Sequence, residues 1–203
     1  MTGLSSSQRT YLGMINQALA VHPRWGYLDP AWIMTIMDIE SGYRPLVVNA
    51  TGRQDGLMQV IPTTAQEMSS LYGIPAGPQT DPMTSILFGT AYLDDSARSI
   101  IKFRSAVSLP LWDLAVAYNE GFEAVEQGRL DPAYLAKFQA ELPVVRAQMA
   151  ATATTANRPS FMPQMGQSVM PLTSGASEMG IHTLALLRRG LMPLTAVMPL
   201  SVS

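Results

Sequence analysis

The sequence predicts a mainly α-helical domain followed by a segment of different composition. Apolar side chains recur three and four residues apart in several stretches, which is the spacing of one face of a helix. Three dipeptides, Asp29-Pro30, Asp81-Pro82 and Asp131-Pro132, each join an N-cap residue to a proline that suits the first helical turn. The 203 residues are enough for one domain of about six to eight helices and an appendage.

The first third of the chain contains two predicted helices and a polar connection. Residues 7–22 carry apolar side chains at helical spacing and form the first helix. The second helix begins at Asp29-Pro30 and runs to about Ser41, where a glycine follows. Residues 43–55 are predicted to form a loop or short strands, and Val60-Ile61 a brief strand. The domain therefore includes a short β or loop segment among its helices.

The remaining helices are predicted from the same signals. Pro62 starts a helix that reaches Leu71, and Asp81-Pro82 starts one that reaches Ile100. A shorter helix runs from Leu111 to Tyr118 and ends near a glycine. Asp131-Pro132 begins another helix, and Pro143 begins the last one, which continues to about residue 153. These elements complete a helical domain that we place at residues 1–156.

Composition excludes several classes of function. The formal net charge of −2 gives no electrostatic footprint for nucleic acid. The chain has no cysteine and only two histidines, His22 and His182, so we expect no thiolate chemistry, no histidine triad, no metal site and no cofactor. No apolar run approaches the roughly 20 residues of a transmembrane helix, and the N-terminus has no signal-peptide pattern. We therefore expect synthesis in the cytoplasm.

Glu40 is the candidate catalytic residue that the pattern itself singles out. In the second predicted helix, Ile33, Ile36, Met37 and Glu40 share one face. Burial of a carboxyl on an apolar face raises its pKa, and a carboxylic acid that stays protonated suits general acid catalysis. The alternative is a glutamate at a helix end that turns into solvent, and Glu40 alone does not decide between the two.

Glu40 begins a series of short motifs along the chain. They are Glu40-Ser41-Gly42-Tyr43, Gly56-Leu57-Met58-Gln59, Pro62 with Thr64-Ala65, Asp81-Pro82 with Gly89 and Tyr92, and Ala117-Tyr118-Asn119-Glu120-Gly121. In this order and at these spacings they resemble the soluble lytic transglycosylase (SLT) domain, which is related to goose-type lysozyme. The resemblance extends over about residues 10–150. It implies a lysozyme-like, mostly α-helical domain with a cleft for the glycan strands of peptidoglycan.

The resemblance also implies a reaction and a set of site residues. The family cleaves the β-1,4 bond from N-acetylmuramic acid to N-acetylglucosamine and leaves a 1,6-anhydromuramic end. Its catalytic acid is the glutamate of the Glu-Ser motif, which is Glu40 here. The matching motifs also indicate residues that contact substrate or support the catalytic acid, and these are Ser41, Gly56, Met58, Gln59, Tyr118 and Asn119.

A second catalytic carboxylate is hard to find in the sequence. Asp38 lies two residues before Glu40 and points roughly the opposite way on a helix. Asp55 and Glu120 remain alternatives, although neither stands where the family has a catalytic residue. A mechanism with Glu40 alone fits better, while hydrolysis by water, as in a lysozyme, stays open. The chain also departs from the family pattern, with Ser85 where Asn is common and Glu120 where Ala is common.

Residues 157–203 differ from the domain before them. They contain six methionines and five prolines but only four charged residues. Such a segment is too apolar for a typical disordered tail and is expected to lie against a partner. With no signal peptide visible, we expect a phage virion protein that acts on the cell wall in the periplasm, anchored to other virion or tail proteins by this segment. The alternatives are a structural virion component with a relic or glycan-binding SLT domain and an ordinary host transglycosylase with an unrecognised export route. A homo-oligomer is a further expectation for its partners.

Overall fold

The computed structural model describes residues 2–49, 55–105 and 108–156, and this part of the chain is mainly helical. The described residues form seven α-helices and a short 3₁₀ turn at Pro23–Trp25. The helices are α1 (Ser6–Val21), α2 (Pro30–Ser41), α3 (Pro62–Tyr72), α4 (Pro82–Arg104), α5 (Leu111–Glu120), α6 (Phe122–Glu126) and α7 (Pro132–Ala156). The predicted fold class is confirmed.

The Asp-Pro pairs start three helices, as the sequence predicts. In each case the proline is the first helical residue and the aspartate accepts a hydrogen bond from a backbone N–H of the first turn. Asp29 accepts from Ala31, Asp81 from Thr84, and Asp131 from Ala133.

Two predictions of local structure were wrong. Pro143 does not start a new helix, because α7 continues through it from Pro132 to Ala156. A proline removes one hydrogen bond from a helix interior, but Leu142 and Val145 beside it are buried in the core, and this packing keeps the helix continuous. Val60-Ile61 is not a strand either. Among the described residues, isolated antiparallel bridges pair Asp55 with Val48 and with Val60.

Helix α2 lies at the centre of the hydrophobic core. Its residues Ile33, Met34, Ile36 and Met37 are all fully buried. Helix α2 packs against α1 and α7, and α7 also packs against α5. This arrangement brings the end of α2 close to the first turns of α7. No helix in the described part of the chain is both long enough and apolar enough to span a membrane.

A buried carboxylate ties the 3₁₀ region to α3 and α4. Asp94 is 0% exposed. Its Oδ1 accepts a hydrogen bond from the Tyr27 hydroxyl at 2.8 Å, and its Oδ2 accepts from Tyr72 at 2.8 Å and from Arg98 Nε at 2.7 Å. These donors satisfy the buried charge, so we assign this cluster a structural role.

The segment 157–203 lies outside the described residues. The boundary between a domain at 1–156 and this segment therefore stays a prediction.

Candidate active site

Glu40 lies in the last turn of α2 and is partly buried. Its Oε1 accepts a hydrogen bond of 2.8 Å from the hydroxyl of Tyr134, in the first turn of α7. Burial raises the pKa of Glu40, while the Tyr134 hydrogen bond and the charge of Lys137 lower it in part, and the net direction is upward. Glu40 therefore has the raised pKa that its position on an apolar face predicts.

Tyr118, on α5, is a second tyrosine that interacts electrostatically with Glu40. The side chain is buried, and its hydroxyl donates a hydrogen bond of 2.7 Å to the backbone carbonyl of Met58. Burial, together with the negative charge of Glu40, raises the pKa of Tyr118 well above its usual value. Tyr92 packs on this ring with 5.4 Å between centroids. Tyr118 thus links α5 to the 56–59 turn within electrostatic reach of Glu40.

Gly56 and Gln59 in the 56–59 turn have positive φ angles, which most side chains disfavour. Gly56 has φ +79°, and a Cβ there would lie 1.8 Å from the carbonyl oxygen of Gln79. Glycine is required here because the segment before α4 approaches the Gly56 backbone too closely for a side chain. Gln59 has φ +50°, and its Nε2 donates to the carbonyls of Val47 at 2.9 Å and Gly56 at 2.8 Å. These two hydrogen bonds join the Gln59 side chain to residue 47 and to the start of the turn.

Met58 is fixed from both its side chain and its backbone. Its side chain is fully buried, and a Cβ at Gly89 would lie 2.6 Å from the Met58 Cε, so glycine makes room for it. Its backbone N–H donates to the Ser85 hydroxyl at 3.0 Å. The serine that departs from the family pattern therefore supports the turn.

The other predicted site residues occupy different surroundings. Ser41 is buried, and its hydroxyl donates to the Met37 carbonyl at 3.0 Å within α2. Asn119 is exposed at the end of α5, where its Nδ2 donates to Asp131 Oδ2 at 3.3 Å.

A pocket of about 330 Å³ opens beside Tyr118. It brings together three predicted site residues, Gln59, Tyr118 and Asn119, and its wall also includes Thr64, Tyr92 and Glu120. Glu40, Ser41, Gly56 and Met58 are not part of that wall. The structure therefore brings three of the predicted site residues together in one pocket and leaves the other four outside its wall.

The acidic residues considered as a second carboxylate have other surroundings. The side chains that shift the pKa of Glu40 are Tyr134 and Lys137. Asp55 takes part in both β-bridges, whereas burial and the charge of Glu141 raise the pKa of Asp38. Throughout the described ranges, no group of three or more His, Asp or Glu side chains could hold a metal ion.

The family model described as "Transglycosylase SLT domain" matches residues 24–136, which is more than half of the chain. The chain belongs to the SLT domain family. A search of curated proteins returned no match.

A solved structure with a TM-score above 0.5 shares the fold of this SLT domain. An inactive glutamate-to-glutamine mutant of the lytic transglycosylase Slt from Pseudomonas aeruginosa matches with a TM-score of 0.56 and 22% identity, over 68% of this chain and 24% of that one. The 70-kDa soluble lytic transglycosylase from Escherichia coli gives 0.48 and 22%, over 71% and 24%. A complex of the 70-kDa soluble lytic transglycosylase with bulgecin A gives 0.47 and 21%, over 72% and 24%. The first match establishes the lysozyme-like SLT fold, and this chain spans about a quarter of the length of the chains it matches.

Sequence reasoning missed Tyr134 and Lys137 in this SLT domain. Tyr134 contacts Glu40 across 94 positions of sequence, so no local pattern connects them. The available signal was the cap at Asp131, because it places Tyr134 in the first turn of a helix. A buried tyrosine at that point needs a partner for its hydroxyl, and the partner is the catalytic candidate.

Proposed function

We propose that the protein is a peptidoglycan lytic transglycosylase that cleaves the bond from N-acetylmuramic acid to N-acetylglucosamine. The observation that carries the proposal is Glu40, a partly buried carboxyl with a raised pKa, held by Tyr134 in an SLT domain. The similarity to a lytic transglycosylase whose glutamate-to-glutamine mutant is inactive supports a glutamate as the essential residue of this class of enzyme.

Glu40 would act first as an acid and then as a base. Because Tyr134 donates to Oε1, Oε2 is the oxygen that can carry the proton. The proton passes to the leaving O4 of N-acetylglucosamine as the bond from C1 to O4 breaks. The carboxylate then takes the proton of the muramic 6-hydroxyl while O6 bonds to C1. The product is a 1,6-anhydro ring, Glu40 regains its proton, and no water is consumed.

Tyr134 supports this cycle by stabilising the ionised form of Glu40. A hydroxyl that donates to a carboxylate stabilises the charge that Glu40 acquires when it gives up its proton. Burial and the charge of Glu40 raise the pKa of Tyr134 well above its ordinary value, so the hydroxyl stays a donor at neutral pH.

The predicted binding residues take different parts in this proposal. Gln59, Tyr118 and Asn119 line the pocket and would face the glycan. Ser41 would orient the end of α2 that carries the acid. Gly56 and Met58 would act through the shape of the 56–59 turn, because they lie outside the pocket wall.

The proposal is tested with one variant and a control on the same helix. Glu40→Gln removes the proton while keeping the size of the side chain, and loss of a general acid should slow cleavage of purified sacculi by about 10²–10⁴-fold. Asp38→Asn changes a carboxyl two residues away and should stay within about threefold of the wild type. Cleavage by Glu40→Gln at the wild-type rate would refute the role of Glu40.

We also propose a setting for the activity. The protein would be carried in a phage particle and open the cell wall locally, in the periplasm, during genome delivery. The composition of residues 157–203, rich in methionine and proline and poor in charge, supports an anchor to other virion or tail proteins. Deletion of 157–203 should abolish incorporation into particles and leave sacculus cleavage intact. A truncated protein that still copurifies with particles would contradict the anchor.

A further inference from the structure

Glu120 is a charged residue of the pocket that the proposed chemistry does not use. It ends α5, directly after Asn119, and lines the 330 Å³ pocket. Its side chain is 23% exposed.

The two oxygens of Glu120 have unequal surroundings. Oε2 lies 3.5 Å from Nη1 of Arg129, so the negative charge has a counter-charge. Oε1 is buried and has no hydrogen-bond partner among the described residues. Buried acceptors are normally satisfied, and one without a partner costs free energy that a bound donor can recover. The negative charge of Glu120 is therefore paired with Arg129, whereas Oε1 still lacks a hydrogen-bond donor among the described residues.

We propose that Glu120 is a specificity-determining residue that accepts a hydrogen bond from an uncharged donor of the bound glycan. The donor class is an acetamide N–H or a sugar hydroxyl. This inference rests on the proposed function, since it places the glycan in the pocket next to Tyr118 and Asn119. Because the terminal torsion of a glutamate is broad, rotation about it would let Oε1 turn towards a donor bound in the pocket that Glu120 lines.

The choice of an uncharged donor follows from Arg129. Its guanidinium already faces the carboxylate, and an ammonium group entering the pocket would meet that positive charge as well. A sugar carrying a free amine in place of an acetamide should therefore bind less well than the N-acetylated sugar.

Two substitutions distinguish the role of Glu120 as a hydrogen-bond acceptor from the role of its negative charge. Glu120→Gln keeps an oxygen acceptor and removes the charge, whereas Glu120→Met keeps the length of the side chain and removes both. Each substitution is made in the Glu40→Gln protein, in which we expect binding without cleavage. The binding of tetra-N-acetylchitotetraose to each protein is measured by calorimetry. Glu126→Gln serves as the control, because Glu126 is an exposed acid nearby on α6.

We expect Glu120→Met to raise the dissociation constant by roughly tenfold or more, and Glu120→Gln and the Glu126 control to stay within about threefold. Thermal unfolding of each variant verifies the fold, and Glu120→Ala replaces the methionine variant if that one does not fold. The partly de-N-acetylated oligosaccharide should bind more weakly than the N-acetylated one.

Three results would overturn the inference. They are unchanged affinity in Glu120→Met, equal weakening in Glu120→Gln and Glu120→Met, and tighter binding of the de-N-acetylated oligosaccharide. The proposed function fails in a different way. No oligosaccharide binding with Glu120 intact, together with uncleaved sacculi for the wild type, would refute the glycan cleft itself.

Discussion

Replacing Tyr134 by phenylalanine removes one hydroxyl next to the catalytic candidate. That hydroxyl donates a 2.8 Å hydrogen bond to Glu40 Oε1. A hydrogen bond to a charged group contributes about 1.5–3 kcal/mol, and each 1.36 kcal/mol corresponds to a factor of ten in rate. Glu40 becomes charged as it protonates the leaving oxygen, so Tyr134→Phe should lower kcat by about tenfold to 100-fold. The rate is measured as release of soluble muropeptides from sacculi.

The same substitution should change the pH dependence. The reaction needs protonated Glu40, so the rate falls as pH rises through the pKa of Glu40. The Tyr134 hydrogen bond lowers that pKa, and its loss should move the alkaline limb of the kcat profile to higher pH. Tyr11→Phe is the matched control, because Tyr11 is a buried tyrosine on α1 that is not among the side chains shifting the pKa of Glu40. An unchanged kcat and an unmoved limb in Tyr134→Phe would refute the reasoning.

Three further predictions concern stability. Gly56→Ala should destabilise the fold by about 3 kcal/mol or more in urea unfolding, since it combines a positive φ with a clash at Gln79, whereas Gly73→Ala, with φ +67° and open space, should cost only about 1–2 kcal/mol. Equal losses would contradict the clash. Asp94→Ala leaves three donors without their acceptor and should cost about 2–4 kcal/mol in the same assay. A loss below 1 kcal/mol, on the order of an average surface change, would contradict the cluster's role. Glu40→Gln should raise the thermal midpoint at pH 7, because the raised pKa of Glu40 means that ionisation weakens the folded state. This gain should shrink as pH falls towards the pKa of an unfolded glutamate, and a gain that grows on acidification would reverse the sign of the argument.

Local signals account for the parts of the fold that the sequence predicts. A cap and a proline act within one helical turn, so Asp29, Asp81 and Asp131 mark helix starts without knowledge of the tertiary structure. The direction of the Glu40 pKa shift, which burial causes, could be predicted from the spacing of Glu40 to apolar neighbours in one helix. Those features depend on residues a few positions apart, which is the range over which a sequence pattern is informative.

Tertiary packing decides the features that the sequence did not predict. Helix α7 continues through Pro143 because its neighbours are buried, and that burial depends on helices distant in sequence. The contact of Tyr134 with Glu40 and the bond from Met58 to Ser85 also join separate elements. The hydrogen bonds of Gln59 likewise join it to the carbonyls of Val47 and Gly56, and the contact with Val47 spans twelve positions of sequence. Such contacts exist only once the chain is folded.

Mass spectrometry of the products from purified sacculi, with the wild type beside Glu40→Gln, distinguishes transglycosylation from hydrolysis. We expect 1,6-anhydromuramic ends, each lighter by one water than a hydrolytic end, from the wild type alone. Reducing ends would contradict transglycosylation and make the enzyme a lysozyme, with Asp55 or Glu120 as the second carboxylate to examine. Anhydro ends produced equally by Glu40→Gln would contradict the assignment of Glu40 as the acid.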